Sequence, residues 1–432
     1  MKFSELFNSR GLKIGSIGSL GIKFLGVILS FLVSVFLARY LGLTNYGVYV
    51  LVLSTIILLT IPLTMGIPLL ITRFIPKYEV EANKGAIKGL LIRANQFIAL
   101  SSLMLILIFI VIYFFVRNEL SESLIKTFAW GMLLLPIMGY NEVRAATLRG
   151  LRYIVLGQLP DIFLRSLFLL IGILVFKGYF GDMKPEDAMA LHALSAGLAN
   201  IVAYLLLHKK LFVSLKGITP MFHSRNWMRE SIQFSFNMGI NKVKVRLSTY
   251  VLAAISGPAA VALYEVALKG SKLVVFGLTA INSALGPFIS RAYEKNDFEE
   301  LQRIITKATR VIFMFSLPVS LLFIIGGSYI IDVFYGEEFS GSYIPLAILC
   351  LGQLMNSGAG SVGLLLKMTG NQKYVLKVNT INTIANLLIA IPLVMYFDVI
   401  GAAIAYGVLL IVQNGIFVWY AYKKLSIRTT IV

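Results

Sequence analysis

Apolar runs of about 20 residues recur along the whole chain, and they limit its possible folds more than any other feature. A helical run of that length spans the hydrocarbon core of a membrane. Twelve runs are present, centred near Leu29, Leu58, Ile106, Leu134, Leu169, Ala199, Thr249, Val274, Leu317, Gln353, Leu388 and Val408. Only 14% of the 432 residues are charged, against roughly 25% in soluble domains. The sequence therefore predicts an all-α integral membrane protein with twelve transmembrane helices.

Basic residues are distributed unevenly among the connections between these runs. One alternating set of connections, together with both chain ends, holds 24 Lys and Arg residues, whereas the other set holds five. An excess of Lys and Arg marks the cytoplasmic side, so we expect both termini in the cytoplasm. The same distribution explains most of the net charge of +19 and argues against a nucleic-acid-binding patch.

The two halves of the chain resemble each other. The stretch from Tyr49 to Tyr78 has the same length as the stretch from Tyr264 to Tyr293, and a glutamate follows the second tyrosine in both. Each stretch also carries a proline near its inner end. Because six spans per half is an even number, the repeats share one orientation and are related by a pseudo-two-fold axis along the membrane normal.

The longest inner connection separates the halves. We predict an N-terminal lobe over residues 1–211, a cytoplasmic linker over residues 212–228 and a C-terminal lobe over residues 229–432. The linker is basic with interspersed aromatic and apolar residues. This composition is typical of a helix lying in the membrane interface, although a plain loop fits it nearly as well.

Three cations interrupt the seventh apolar run in the stretch Asn-Lys-Val-Lys-Val-Arg-Leu, which begins at Asn241. Counted from the next turn at about 1.5 Å per residue, Arg246 lies about 15 Å deep, near the bilayer centre. Lys242 and Arg246 are four residues apart and share a helix face. Lys244 points elsewhere, toward the inner interface or another neighbour, and its role is open.

Deep cations outnumber deep carboxylates. The cations are Lys23, Lys242, Arg246, Lys269, Lys272 and Arg165, and the acids are Glu142, Asp161 and Glu265. Intrahelical pairs at a spacing of four, Asp161 with Arg165 and Glu265 with Lys269, would neutralise some of them. The surplus must meet water or an anion. We therefore expect a cationic cavity between the halves that attracts a polyanion such as a pyrophosphate; a purely structural role is the alternative.

Motifs for chemistry or for ATP hydrolysis are absent from the sequence. The dipeptide Gly-Lys of a phosphate-binding loop does not occur, and a single cysteine, Cys350, excludes a paired-cysteine metal site. His192 lies inside the sixth run, where a packed helix contact and a proton relay both remain open. The sequence thus predicts a transporter with no catalytic residue, no cofactor and no metal.

Several motifs resemble those of one family. The stretch "ARYLGLTNYGVYVLVL" from Ala38 resembles the segment that follows the first span of polysaccharide exporters, and "GIPLLITRFIPKY" from Gly66 resembles their next conserved segment. In the second half "VALYEVALKGSKLV" and "ALGPFISRAYEKND" also match. The chain is identified as resembling the Wzx-type oligosaccharide flippases, including O-antigen repeat-unit flippases, within the multidrug/oligosaccharidyl-lipid/polysaccharide exporter superfamily. Lipid II flippases and multidrug MATE antiporters are similar more distantly.

The resemblance implies a MATE-like V of two six-helix lobes. It also implies movement of an undecaprenyl-pyrophosphate-linked oligosaccharide from the inner to the outer leaflet of a bacterial cytoplasmic membrane, with alternating access and coupling to H⁺, Na⁺ or the membrane potential. Candidate ligands of the anionic head group are Lys23, Lys242, Arg246, Lys269, Lys272, Arg39 and Arg73. Candidate ion-coupling acids are Glu142, Asp161 and Glu265. Expected partners are the lipid-linked substrate, membrane lipids and other polysaccharide assembly proteins.

One departure and one rival accompany the resemblance. Many family members carry an acid two residues after the position of Arg246, where this chain has Ser248. The rival function is a MATE-type antiporter for drugs or other cations. Cationic substrates favour acidic or aromatic pockets, and the deep charge here is positive.

Overall fold

The computed structural model describes residues 10–431, and their side chains from Gly18 onward except that of Asn237. Every regular element in this part of the chain is helical, which confirms the all-α prediction. Lys2 and the side chains of Arg10 and Lys13, which contribute to the predicted cytoplasmic charge, lie outside the described residues.

The chain divides into two compact units. The first comprises Met1–Leu41 and Val48–Lys242, and the second comprises Gly42–Gly47 and Val243–Val432. The α-helices are α1 (Arg10–Thr64), α2 (Ile67–Val80), α3 (Lys84–Val116), α4 (Glu122–Gly150), α5 (Ile154–Gln158), α6 (Arg165–Phe180), α7 (Pro185–Lys210), α8 (Ser224–Ile255), α9 (Gly257–Val274), α10 (Phe276–Glu294), α11 (Phe298–Phe334), α12 (Tyr343–Ala359), α13 (Val362–Met368) and α14 (Gln372–Leu425). A π-helical turn, Leu159–Leu164, joins α5 to α6, and 3₁₀ turns cover Phe212–Leu215 and Glu337–Ser342.

Seven helical stretches of the described chain are long and apolar enough to cross a membrane, and the number rises to nine if each of two bent helix pairs crosses as one span. The two longest of them, α1 and α14, each consist of two helices joined at a residue with a non-helical backbone, Gly42 (φ 73°, ψ 174°) and Asp398 (φ 50°, ψ −129°). The predicted total of twelve spans stays a prediction, although each predicted span centre falls on a helix.

The motif after the first apolar run packs inside the second unit. Gly42 supplies the positive φ at the break in α1, a conformation that favours glycine. The ring of Tyr46 is 1% exposed and meets Phe339 edge-on at 6.1 Å between ring centroids. A Cβ on Gly47 would lie 1.8 Å from the carbonyl oxygen of Pro258. The glycines and the tyrosine of the motif therefore serve close packing.

Packing in the first unit depends on polar contacts as well as apolar ones. Arg144 of α4 donates from Nη1 to the carbonyl oxygen of Asn200 on α7 at 3.0 Å. The Tyr49 hydroxyl and His192 Nδ1 are hydrogen-bonded at 2.7 Å in a buried position. Of the two roles that the sequence leaves open for His192, a packed helix contact and a proton relay, the structure shows the packed contact.

The beginning of α8 also belongs to the first unit and lies against α2. The Trp227 indole Nε1 donates to the Tyr78 hydroxyl at 2.9 Å, and both side chains are buried. The Ser231 hydroxyl donates to the carbonyl oxygen of Met65. A Cβ on Gly66 would meet the Ser231 carbonyl oxygen at 2.3 Å, so this contact requires glycine there.

The connection before α8 is a loop with one 3₁₀ turn. Its Met221 amide donates to the Gly85 carbonyl at 2.9 Å, and the Lys88 ammonium donates to the carbonyls of Leu215 and Ile218 at 3.3 and 2.8 Å. These contacts hold the loop along α3. Residues 212–223 of the predicted linker are therefore a 3₁₀ turn and loop, and residues 224–228 already belong to α8.

An apolar core in the second unit gathers side chains of α10, α11, α13 and α14, including Ile289, Ile305, Leu365 and Phe417. The segment after α14 turns at Ser426 (φ 54°) and returns along α11. The side chain of Gln302 accepts from the Arg428 amide at 2.8 Å and donates to the Arg428 carbonyl at 2.7 Å. Two further contacts, Thr309 Oγ1 to the Thr429 carbonyl and a buried Ile427, fix the same segment.

One turn recurs in both halves of the chain. Ala82 (φ 51°) and Asn296 (φ 54°) each precede a helix-capping residue. The cap is Asn83 for α3, which accepts from Ala86 N, and Asp297 for α11, which accepts from Glu300 N, each at 2.9 Å. Side-chain oxygens of Asn and Asp satisfy the free amides at a helix start. The local geometry therefore supports the internal repeat seen in the sequence.

Candidate functional site

The stretch Asn241–Leu247 is continuous helix within α8, and the boundary between the two units falls inside it, after Lys242. Each of its three cations has its own partner. Lys242 bonds within the first unit, and Lys244 and Arg246 bond within the second. Shared position on one helix face predicts a common role for Lys242 and Arg246, but their carboxylate partners differ.

In the first unit, Lys242 joins a partly buried polar group. Its ammonium donates to Glu142 Oε1 at 3.1 Å and to the Thr60 hydroxyl oxygen at 2.6 Å. The second carboxylate oxygen of Glu142 is buried and has no hydrogen-bond partner among the described residues. A buried carboxylate oxygen without a partner is costly. This oxygen of Glu142 therefore has an open acceptor position in the described part of the chain.

In the second unit, Arg246 forms a buried ion pair. Its Nη1 lies 3.2 Å from Glu265 Oε2 on α9, and the two side chains are 13% and 6% exposed. Lys269 and Lys272 follow Glu265 by four and seven residues, on the same helix face. Lys269 is half-buried and Lys272 is exposed, and both act electrostatically on Glu265. Three cations and one carboxylate thus belong to this part of α8 and α9, and the cluster carries an excess of positive charge. We call Arg246, Glu265, Lys269 and Lys272 the cationic cluster.

Lys244 lies in the second unit and is bonded to a neutral partner. Its ammonium donates to Gln413 Oε1 on α14. The next residue, Asn414, donates to Asn356 Oδ1 at 2.9 Å, and Asn356 donates to Gln353 Oε1 at 3.1 Å. These amides belong to the helix interior of the second unit. The sequence leaves two orientations open for Lys244, toward the inner interface or toward another neighbour. Gln413 is that neighbour.

The remaining candidates belong to the first unit, whereas the cationic cluster belongs to the second. Arg73 forms an ion pair with Glu230 at 2.7 Å within the first unit. Asp161 pairs with Arg165, four residues on in the same helical stretch, at 3.4 Å between Oδ1 and Nε. Arg39 is exposed, three residues before Gly42.

Lys23 is half-buried on α1. The part of the chain that the structure describes gives it no hydrogen bond or ion pair. The structure therefore groups Arg246, Lys269, Lys272 and Glu265, pairs Lys242 with Glu142, and leaves the other candidates outside both groups.

Three partners are missed by the sequence analysis: Thr60, Glu230 and Gln413. The pair Gln413-Asn414 interrupts an apolar run, and that interruption is a usable signal for a buried polar contact. Thr60 and Glu230 carry no such signal. Among the described residues, no group of three or more His, Cys, Asp or Glu side chains is placed to hold a metal ion.

Apolar helices long enough to cross a membrane, with charged side chains paired inside them, fit a membrane transporter, the class that the relatives and solved structures also indicate. The chain belongs to the family described as "Polysaccharide biosynthesis protein", whose sequence model matches residues 14–293. The MatE family model matches residues 245–392. The family resemblance predicted from the motifs is confirmed.

Relatives and solved structures agree with this assignment. The chain is 22% identical to the "Probable low-salt glycan biosynthesis flippase Agl15" of Haloferax volcanii over 422 residues, which cover 96% of this chain and 83% of that protein. An inward-facing multidrug resistance MATE family transporter of the MOP superfamily superposes with a TM-score of 0.80 at 15% identity, covering 95% of this chain and 98% of that one. The lipid II flippase MurJ in an inward closed conformation gives a TM-score of 0.69 at 13% identity, over 94% of this chain and 87% of that one. The MATE-like fold prediction is confirmed.

Proposed function

We propose that this transporter is a flippase for an undecaprenyl-pyrophosphate-linked oligosaccharide, which it moves from the inner to the outer leaflet of a bacterial cytoplasmic membrane. Residues 1–211 and 229–432 act as its two lobes, with residues 212–228 as the cytoplasmic linker and both termini in the cytoplasm. The substrate passes through a cationic cavity by alternating access. Other polysaccharide assembly proteins deliver and receive the glycan.

The cationic cluster is the observation that carries the proposal. Arg246 and Glu265 form a buried ion pair, and Lys269 and Lys272 lie on the same face of α9 as Glu265 and add two further positive charges. Unbalanced buried charge is expensive, so in a membrane protein it marks a functional site by default. A diphosphate brings two or more negative charges and several acceptor oxygens, and it satisfies this surplus better than a neutral sugar does. The Haloferax volcanii relative, a glycan biosynthesis flippase by name, supports the same substrate class.

Arg246 and the two lysines have different parts in this proposal. The guanidinium of Arg246 is held in a fixed plane by its ion pair with Glu265. Lys269 and Lys272 are mobile point charges that approach the phosphates from the same helix face. Four other cations are proposed to contact the substrate elsewhere along its path: Lys242, Lys23, Arg39 and Arg73.

Coupling to an ion is assigned first to Glu142. Its unpartnered buried oxygen is suited to bind a proton or Na⁺ next to Lys242 and Thr60. Glu265 and Asp161 are weaker candidates because Arg246 and Arg165 already engage their carboxylates. Entry of the ion at Glu142 would release Lys242 from its ion pair.

The test replaces the cations of the cluster in a strain whose surface glycan depends on this protein. The variant Arg246→Gln/Lys269→Gln/Lys272→Gln is expected to abolish glycan display and to cause the lipid-linked intermediate to accumulate on the inner leaflet. The control, Lys367→Gln/Lys373→Gln/Lys377→Gln, removes the same charge from exposed positions and is expected to retain display. Full display by the cluster variant at normal protein level would reject the assignment.

A MATE-type antiporter for drugs or other cations is the second candidate. The MatE match over residues 245–392 and the fold of a multidrug transporter favour it. The positive charge of the cationic cluster opposes it, because cationic substrates would be repelled. Drug susceptibility of cells that overproduce the protein decides between the two: raised resistance with unchanged glycan display supports the antiporter.

A further inference from the structure

A second cationic site lies at the beginning of α11, away from the cationic cluster in the sequence. A groove of about 880 Å³ lies there, and its lining includes Phe298, Glu299, Arg303, Lys307, Arg310 and Lys424. We call it the basic groove. All of its residues belong to the second unit. Ligand sites commonly have volumes of this order.

Four cations line the basic groove. Arg303, Lys307 and Arg310 recur at spacings of four and three along α11, so they share one helix face over about 10 Å. Lys424, at the end of α14, lines the same groove. All four side chains are exposed, and within the described residues none of them forms an ion pair. Like charges at these spacings destabilise a helix unless an anion offsets them.

The basic groove is a built feature of the fold. The reciprocal hydrogen bonds between the Gln302 side chain and the Arg428 backbone hold the segment after α14 against α11. The contact from Thr309 Oγ1 to the Thr429 carbonyl, at 3.0 Å, continues this attachment. These hydrogen bonds fix the segment after α14 to α11 at two places. The backbone positions of the four cations are therefore set before a ligand binds.

The walls of the groove indicate the kind of ligand. Phe298 contributes exposed apolar surface beside the cations, and α11 continues from Arg310 into the apolar run 311–334. A ligand that satisfies both parts has a negative head group and hydrocarbon chains. Basic pockets at the ends of transmembrane helices recognise anionic lipid head groups in this way.

We infer that the basic groove binds the phosphate head group of an anionic glycerophospholipid, with its acyl chains along α11. The general excess of positive charge on the inner side predicts attraction to anionic lipid everywhere. Beyond this general attraction, one lipid molecule is held at this groove in preference to the other basic surfaces of the same unit.

The test measures lipid binding by the purified full-length protein. Native mass spectrometry in detergent follows titration with phosphatidylglycerol or with phosphatidylcholine of identical chains. The groove variant is Arg303→Gln/Lys307→Gln/Arg310→Gln. The control is again Lys367→Gln/Lys373→Gln/Lys377→Gln, which removes three exposed cations from the same unit. Both variants have the same net charge.

We expect the wild type and the control to bind one phosphatidylglycerol at least about tenfold more tightly than phosphatidylcholine, and the groove variant to lose this preference. Lys307→Arg is expected to retain binding and Lys307→Gln to weaken it, a comparison that does not require the triple variant to fold. Equal loss in the control would overturn the inference. So would displacement of the lipid by equimolar inorganic phosphate or by an acidic peptide. Lipid binding is measured without transport, so this result is independent of the proposed flippase activity.

Discussion

The two partners of the Arg246–Glu265 ion pair differ in what their loss leaves behind. Glu265→Gln leaves Arg246, Lys269 and Lys272 together with no carboxylate between them. Arg246→Gln leaves Glu265 with two nearby lysines that can take over part of its pairing. We therefore expect the two single substitutions, each of which removes one charge, to destabilise the protein unequally.

The burial of the pair sets the size of the effect. With side-chain exposures of 13% and 6%, removal of one partner of the pair ordinarily costs about 3 to 5 kcal/mol, because an uncompensated charge stays buried. Glu265→Gln should fall in that range. Arg246→Gln should cost about 1 to 2 kcal/mol, because Lys269, four residues from Glu265 on the same helix, is placed to replace part of the lost attraction.

The assay is the midpoint of unfolding of the purified protein in mixed micelles, for the wild type, both single variants and the double variant. The double variant Arg246→Gln/Glu265→Gln leaves only the two lysines and should be more stable than Glu265→Gln alone, because one buried cation is removed. A soluble diphosphate should raise the midpoint of Glu265→Gln more than that of the wild type, since it restores the missing negative charge. If Glu265→Gln unfolds no more readily than Arg246→Gln, the excess of cations has no energetic consequence and the reasoning fails.

Two further predictions concern packing and the first unit. Gly47→Ala should prevent accumulation of folded protein, because its Cβ would lie 1.8 Å from the backbone oxygen of Pro258; Gly178→Ala, with nothing within 4 Å of the new Cβ, should be neutral in the same fluorescence-detected size-exclusion assay. Thr60→Val keeps the shape but removes the acceptor of Lys242, so it should cost about 1 to 2 kcal/mol by unfolding in micelles; Thr60→Ser should behave as wild type, and equal loss in both would contradict the role of the hydroxyl.

The helices were predictable because their signal is local. A run of apolar residues that is long enough for a membrane specifies a helix wherever its neighbours fold. The deep cations were visible for the same reason, since a lysine inside such a run is conspicuous. The seventh predicted span is harder to recognise than the others, because Lys242, Lys244 and Arg246 lower its mean hydropathy.

The partners of those cations were not predictable, because they are distant in the chain. Lys244 and Gln413 are 169 residues apart, and Lys242 and Glu142 are 100 residues apart. Sequence spacing favours a pair between Glu265 and Lys269, four residues apart. In the structure Glu265 instead pairs with Arg246 of the neighbouring helix α8, and the planar guanidinium suits a carboxylate better than an ammonium does.

The same turn occurs at Ala82 in the first half of the chain and at Asn296 in the second, so the residues that each half accepts at this turn can be compared. Alanine in a left-handed conformation costs about 1 kcal/mol more than asparagine or glycine, yet both residues adopt the same φ in front of a capped helix. The surrounding hydrogen bonds therefore impose the turn, and the residue type only adjusts its strain. One half thus reports which substitutions the other half should tolerate, and transplanting the second copy's residue into the first, as Ala82→Asn, is a route to a more stable protein that leaves both cationic sites untouched.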